Sequence, residues 1–110
     1  MRLNRATDIA FVRTSGKSWR HSLVILLARK NRLEGSRFAF IASRRVGNAV
    51  MRNRSKRLLR ESIRTDLNLI QPGWDCLLIA RPAIVTARFD DLQTAVRQLL
   101  EQADLLDGEI

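Results

Sequence analysis

Apolar residues fall along this chain in two rhythms. Around residues 8–15 Ile9, Val12 and their polar neighbours fit a short helix, for which Thr7 or Asp8 offers a cap and Ser15-Gly16 an end. Residues 19–28 contain Leu23-Val24-Ile25-Leu26-Leu27, a continuous apolar run that predicts a strand. Polar residues 29–36, with Gly35, read as a turn, and Phe38, Phe40 and Ile41 mark a second strand over residues 37–43. The two strands are expected to pair as an antiparallel hairpin. Gly47-Asn48 breaks the pattern, and a helical stretch follows to about Leu69. After Pro72-Gly73, Trp74 to Ala80 predicts a third strand, closed by Arg81-Pro82. Phe89-Asp90-Asp91 opens a last helix with Asp90 as N-cap, and Leu92, Val96, Leu99, Leu100 and Ala103 recur at spacings of three and four. The order α-β-β-α-β-α predicts an α+β fold, a two-layer α/β sandwich. With no repeat and no linker, residues 1–110 read as one domain.

Composition adds a partner class. The chain carries a net charge of +9 with 45% hydrophobic residues, too apolar for a disordered basic tail. Residues 1–64 hold 17 Lys+Arg against Asp8, Glu34 and Glu61, a balance of +14. Residues 65–110 hold Arg81, Arg88 and Arg97 against eight acids, a balance of −5. Only Lys17, Lys30 and Lys56 are lysines. Such an arginine-rich, one-sided charge points to a polyanion, since the guanidinium fork suits phosphate. No apolar run approaches the roughly 18 residues of a membrane span. The basic start, Met1-Arg2-Leu3-Asn4-Arg5, has no long apolar stretch behind it, so a signal peptide is not expected. One cysteine, Cys76, lies in an apolar run and reads as a buried hydrophobe of a cytoplasmic protein.

The charge concentrates on one helix. On a wheel of about 100° per residue from Arg52, Met51, Leu58, Leu59 and Ile63 fall within one arc with the small Ser55 and Ser62. Asn53, Lys56, Arg57, Arg60 and Arg64 fall on the opposing side, flanked by Arg52 and Arg54. Solvated helix faces usually mix signs. From Arg52 to Arg60 this one has five cations and no acid, with cations in the first turns, where the helix dipole opposes them. A bound anion would restore the balance.

The segment Ser43-Arg44-Arg45-Val46-Gly47-Asn48-Ala49-Val50-Met51-Arg52-Asn53-Arg54-Ser55-Lys56-Arg57-Leu58-Leu59-Arg60-Glu61 closely resembles the signature of the protein subunit of bacterial ribonuclease P. The family hallmark, an Arg-Asn-Arg segment leading a basic helix, is matched by Arg52-Asn53-Arg54. Asp8, Val12 and Gly16, then Leu78-Ile79-Ala80-Arg81-Pro82, and Phe89 with its helix extend the likeness over nearly the whole chain.

The resemblance implies a protein that assists a catalytic RNA in removing the 5′ leader of precursor tRNA. The RNA would hold the Mg²⁺ ions and perform the chemistry. Arg44, Arg45, Asn48, Arg52, Asn53, Arg54, Lys56, Arg57, Arg60 and Arg64 would meet that RNA. No membrane and no obligatory protein partner is implied. The family fold includes a left-handed βαβ crossover, which general handedness would not predict. It also has a cleft for the single-stranded leader, here at Ile9, Phe11, Arg13 and Leu27. The usual cleft aromatics are replaced, with Phe11 shifted by two residues. Apolar contact from Ile9 and Leu27 with phosphate attraction from Arg13 would stand in. Trp19 and Phe40 are further aromatics, better explained by core packing.

Independent catalytic chemistry is not expected. His21 is the only histidine, which excludes a two-histidine nuclease, and reads as a hydrogen-bonded residue at a strand end. Asp90-Asp91 is explained by helix capping. There is no zinc spacing and no glycine-rich phosphate loop. A structural RNA-binding protein, such as a small ribosomal protein, fits the composition equally but not the Arg-Asn-Arg signature. A DNA-binding module fits less well, lacking a heptad or a helix-turn-helix pair.

Overall fold

The computed structural model describes Leu3 and residues 5–106. Met1, Arg2 and Asn4 of the basic start, and the acids Asp107 and Glu109, lie outside the described residues. The order is α1 (Ala6–Ser15), β1 (Lys17–Arg20), β2 (Val24–Lys30), β3 (Arg37–Ile41), α2 (Ala49–Thr65), β4 (Trp74–Ala80) and α3 (Phe89–Gln102). Short 3₁₀ turns at Leu67–Leu69 and Pro82–Thr86 flank β4. The α+β sandwich is as expected, with one strand more than the sequence pattern predicts.

That extra strand is β1. The stretch read as one strand over residues 19–28 is broken at His21, whose N–H donates to the Val24 carbonyl at 2.9 Å. The Leu23 N–H in turn donates to His21 Nδ1 at 3.1 Å, so His21 serves the turn as the sequence implies. The hairpin is therefore β1–β2, not the expected pairing of β2 with β3. The sheet order is β1-β2-β4-β3, with β4 antiparallel to β2 and parallel to β3. The cause is the Cys76–Ala80 run, apolar at every position. Buried on both faces, it belongs in the middle of a sheet. β3, α2 and β4 thus form the βαβ unit that the family resemblance implies.

Alternation along the strands divides the core. Val24, Leu26, Ala28, Phe38, Cys76, Leu78 and Ala80 face the layer formed by α2 and α3. Leu27, Ala39, Ile41 and Leu77 face the other way, toward α1, with Leu3, Ile9 and Val12. In α3, Leu92, Val96, Leu99 and Leu100 are buried as the spacing predicts.

Helix ends depart from expectation. α1 starts two residues before Asp8, with Arg5 at its N-cap and no side-chain cap. α3 has Arg88 at its N-cap, so Asp90 and Asp91 sit in the first turn, where they favour the dipole without capping. α2 ends at Thr65 rather than near Leu69, because Asp66 turns inward. Asp66 is 2% exposed and accepts two hydrogen bonds from the Arg97 guanidinium, at 2.6 and 3.1 Å. Among the described residues no helix is long and apolar enough to cross a membrane.

Candidate nucleic-acid interface

The start of α2 is built by a tight turn. The Val46 and Gly47 N–H groups donate to the Ser43 and Arg44 carbonyls at 3.0 and 3.1 Å. Gly47 adopts φ +145°, a conformation that favours glycine. Val46, 4% exposed, pins the turn to the core while Arg44 and Arg45 project into solvent. Asn48 is the N-cap, its Oδ1 accepting from the Met51 N–H at 3.0 Å. Its side-chain oxygen is thus committed to the helix, a role the sequence-based assignment to RNA contact did not include.

The wheel is largely realised. Ser55, Leu59, Ser62 and Ile63 are buried and Leu58 is half-buried. The two serines are small and self-satisfied, donating to the Met51 and Leu59 carbonyls at 2.8 and 2.7 Å. Met51 is a correction. Placed on the packing arc by angle, it is 41% exposed, because the first turn of α2 runs past the core and leaves Ala49 and Val50 exposed as well.

On the opposite side Asn53, Arg54, Arg57, Arg60 and Arg64 are exposed, and Arg52 and Lys56 are half-buried. Arg52 donates to the Gly47 carbonyl at 3.2 Å, tying the stripe to its leading turn. The Arg60 guanidinium lies 5.5 Å from the centre of the Phe40 ring. Phe40 and Trp19 are half-buried against the main core, the packing role expected of them. Arg64 pairs with Glu61 at 3.2 Å. Among the described residues, Arg44, Arg45, Arg54, Lys56 and Arg57 have no carboxylate within ion-pair distance. The first turn of α2 contains no acid. The result is one continuous cationic face, compensated only at Arg64.

The second group of candidates lies across the sheet. Ile9 of α1 and Leu27 of β2 meet in the small cluster around Val12 and Leu77. Phe11 is 56% exposed and carries the Arg29 guanidinium 4.5 Å from its ring centre. Arg13 is exposed in the last turn of α1. Sequence reasoning missed Arg29, although its place one residue out of phase with Ala28 puts it on the α1 face.

It also missed the clamp that seats α1. Asp75, 5% exposed, accepts from Arg37 Nε at 2.9 Å, from Arg37 Nη2 at 2.6 Å and from Asn31 Nδ2 at 2.8 Å. Arg37 also pairs with Asp8 of α1 at 3.3 Å. Burial pushes the Asp75 carboxyl up, but the hydrogen bonds from Arg37 and Asn31 and the Arg37 charge together hold it below the ordinary carboxylate value. At the end of α1, a Cβ on Gly16 would lie 2.5 Å from the Val12 carbonyl oxygen and 3.0 Å from that of Ala28. Only glycine allows this approach of helix to strand.

Cys76 is fully buried, and burial pushes its thiol up to about 12, so it is an inert core residue. The described residues hold no cluster of three or more His, Cys, Asp or Glu fit for a metal ion.

The class is an α+β sandwich that presents an arginine face on one helix, free of acids from Arg52 to Arg60. The family model described as Ribonuclease P matches residues 1–104. The chain belongs to that family, the bacterial ribonuclease P protein components. It is 39% identical to the ribonuclease P protein component of Roseiflexus castenholzii over 99% of this chain and 90% of that one. It is 41% identical to that of Dehalococcoides mccartyi (strain ATCC BAA-2266 / KCTC 15142 / 195), over 96% of this chain and 86% of the relative. The RNase P protein from Thermotoga maritima superposes with a TM-score of 0.84 at 28% identity, covering 98% of this chain and 99% of that one. The Staphylococcus aureus RNase P protein shares the fold, with a TM-score of 0.87 at 23% identity over 96% of this chain and 97% of that one.

Proposed function

We propose that this chain is a single RNA-binding domain working as the non-catalytic subunit of a ribonuclease P holoenzyme in the cytoplasm. It binds the catalytic RNA through α2 and its leading turn. It holds the 5′ leader of precursor tRNA against α1 and the sheet. The RNA holds the Mg²⁺ ions and carries out hydrolysis at the leader junction. The chain's own contribution is electrostatic and positional.

The observation that supports this most is the α2 face, where every cation but Arg64 stands without an acid beside it among the described residues. Phosphates would be drawn there by Arg44, Arg45, Arg52, Arg54, Lys56, Arg57, Arg60 and Arg64, and by the exposed N–H groups at the helix start. Asn48 and Asn53 add polar contacts. Across the sheet, Ile9 and Leu27 offer apolar contact to leader bases, Phe11 an exposed ring, and Arg13 a charge for their phosphates.

Reconstitution tests the reading. The purified protein is mixed with a bacterial ribonuclease P RNA and precursor tRNA at low Mg²⁺. Leader cleavage should be faster than with RNA alone. No acceleration would leave a structural RNA-binding role as the better account.

A further inference from the structure

Both tryptophans of the chain and two of its three lysines line one cleft that the function above does not use. Its volume is about 280 Å³. It opens mainly on the α3 side of the sheet, at the β1 edge, and Ser15 at the end of α1 and Arg29 complete its lining. Leu27 and the α1 groove are on the other face, and α2 packs over β3 and β4, away from that edge.

Register explains the cluster. Lys17 pairs with Ala28, Trp19 with Leu26, and Lys30 with Trp74, and these positions share the face on which Ala28 and Leu26 are buried. The two strands that flank β2, β1 and β4, thus each offer an indole to the same surface, and β1 and β2 each offer a lysine. The floor is Ala28 and the far wall is Ala103, just after the end of α3. These small side chains leave the space open. Trp19 and Trp74 are each half-buried, seated on the core on one side and lining the cleft on the other. Lys17 and Lys30 are exposed, and among the described residues neither has a carboxylate within ion-pair distance.

Flat apolar surfaces next to unneutralised cations match one ligand chemistry, an unpaired base with its flanking phosphates. A duplex hides its base faces and would use the lysines alone. We propose that this cleft is a second RNA contact, which stacks an unpaired nucleotide on Trp19 and Trp74 and holds its phosphates with Lys17 and Lys30. The inference rests on reading the partner as RNA. It adds a site at the sheet edge remote from α2, so one small protein contacts two separate RNA segments.

The site carries its own reporter, because the chain has no other tryptophan. A short oligouridylate is titrated into the full chain while intrinsic tryptophan emission is followed. Quenching that saturates is expected. The Lys17→Glu/Lys30→Glu variant, altered only at exposed positions, should bind about tenfold more weakly by this signal. Trp74→Leu should lose most of the quench. The Arg57→Ala/Arg60→Ala variant should keep it. An unchanged emission, an undiminished quench in the lysine variant, or equal quenching by an RNA duplex would overturn the proposal. No ribonuclease P RNA is present in this assay. A failed reconstitution with a normal quench would count against the holoenzyme role alone, and the reverse against the cleft alone.

Discussion

Replacing Arg57 by alanine removes one charge from the α2 face and little else that the fold uses. Arg57 is exposed and lacks a carboxylate partner among the described residues. Alanine is at least as good a helix former as arginine, so the helix itself is not weakened. If Arg57 meets a phosphate, its loss releases one counterion fewer on binding. The salt dependence of the association constant should then flatten by about 0.9 on a log–log plot for a duplex-like RNA, or about 0.7 for a single strand. Raising salt about fourfold, from roughly 50 to 200 mM, should shrink the gap between the two proteins by about threefold. Arg60→Ala is a less pure test. Its guanidinium lies 5.5 Å from the Phe40 ring centre, so its removal also takes away a packing contact worth about 0.5–1 kcal/mol. The assay is fluorescence anisotropy of labelled ribonuclease P RNA across a salt series, with melting curves of both proteins. Parallel salt lines for Arg57→Ala and the parent would refute phosphate contact and return the stripe to a solvated face.

Two further predictions concern the seating of α1. Asp75→Ala strands Arg37 in a partly buried site with only Asp8 beside it, and should destabilise the protein by about 3 kcal/mol in urea denaturation at pH 7. Because the folded carboxyl is held below its ordinary value, the ionised form contributes fully above about pH 4 and the contribution fades as pH falls through the lowered value, so the difference between variant and parent should narrow at pH 3. An equal difference at both pH values would contradict the assignment. Gly16→Ala should lower stability by about 1–2 kcal/mol, the clash with two backbone carbonyls exceeding the entropic gain of losing a glycine. A gain in stability would mean that α1 is not held against β2 at that point.

What could be read in advance divides along physical lines. α2 was legible because helix periodicity and charge are both local properties: Ser55, Leu59, Ser62 and Ile63 are buried and Arg57 and Arg60 exposed, as their angles require. Met51 did not, since a wheel knows the direction of a side chain but not where the underlying core ends. Strand pairing was the weak point. Adjacent strands in sequence were expected to pair, whereas β4 takes the place between β2 and β3. The cue was present in Cys76–Ala80, whose unbroken apolar run asks for burial on both faces. β1 was missed because Lys17-Ser18-Trp19-Arg20 is a mostly polar edge strand. The Arg37–Asp75 clamp joins residues 38 positions apart, and no local pattern announces it.

Those long-range clamps also keep three acids from the cationic face. Four ion pairs occur among the described residues. Three join different elements: Arg37 with Asp8 and with Asp75, and Arg97 with Asp66. Their acids are drawn inward to fix α1 on the sheet and the end of α2 on α3. Among the described residues only Glu61 neutralises a cation of α2, at the end far from Asn48. Asp8, Asp66 and Asp75 therefore shape the scaffold rather than balance its surface, while Glu34, Asp90, Asp91, Glu101 and Asp104 are exposed and enter no ion pair among the described residues. The same acids that hold α1 and α2 in position are withheld from the arginines at the start of α2, and net charge understates the field that an approaching phosphate backbone would meet there.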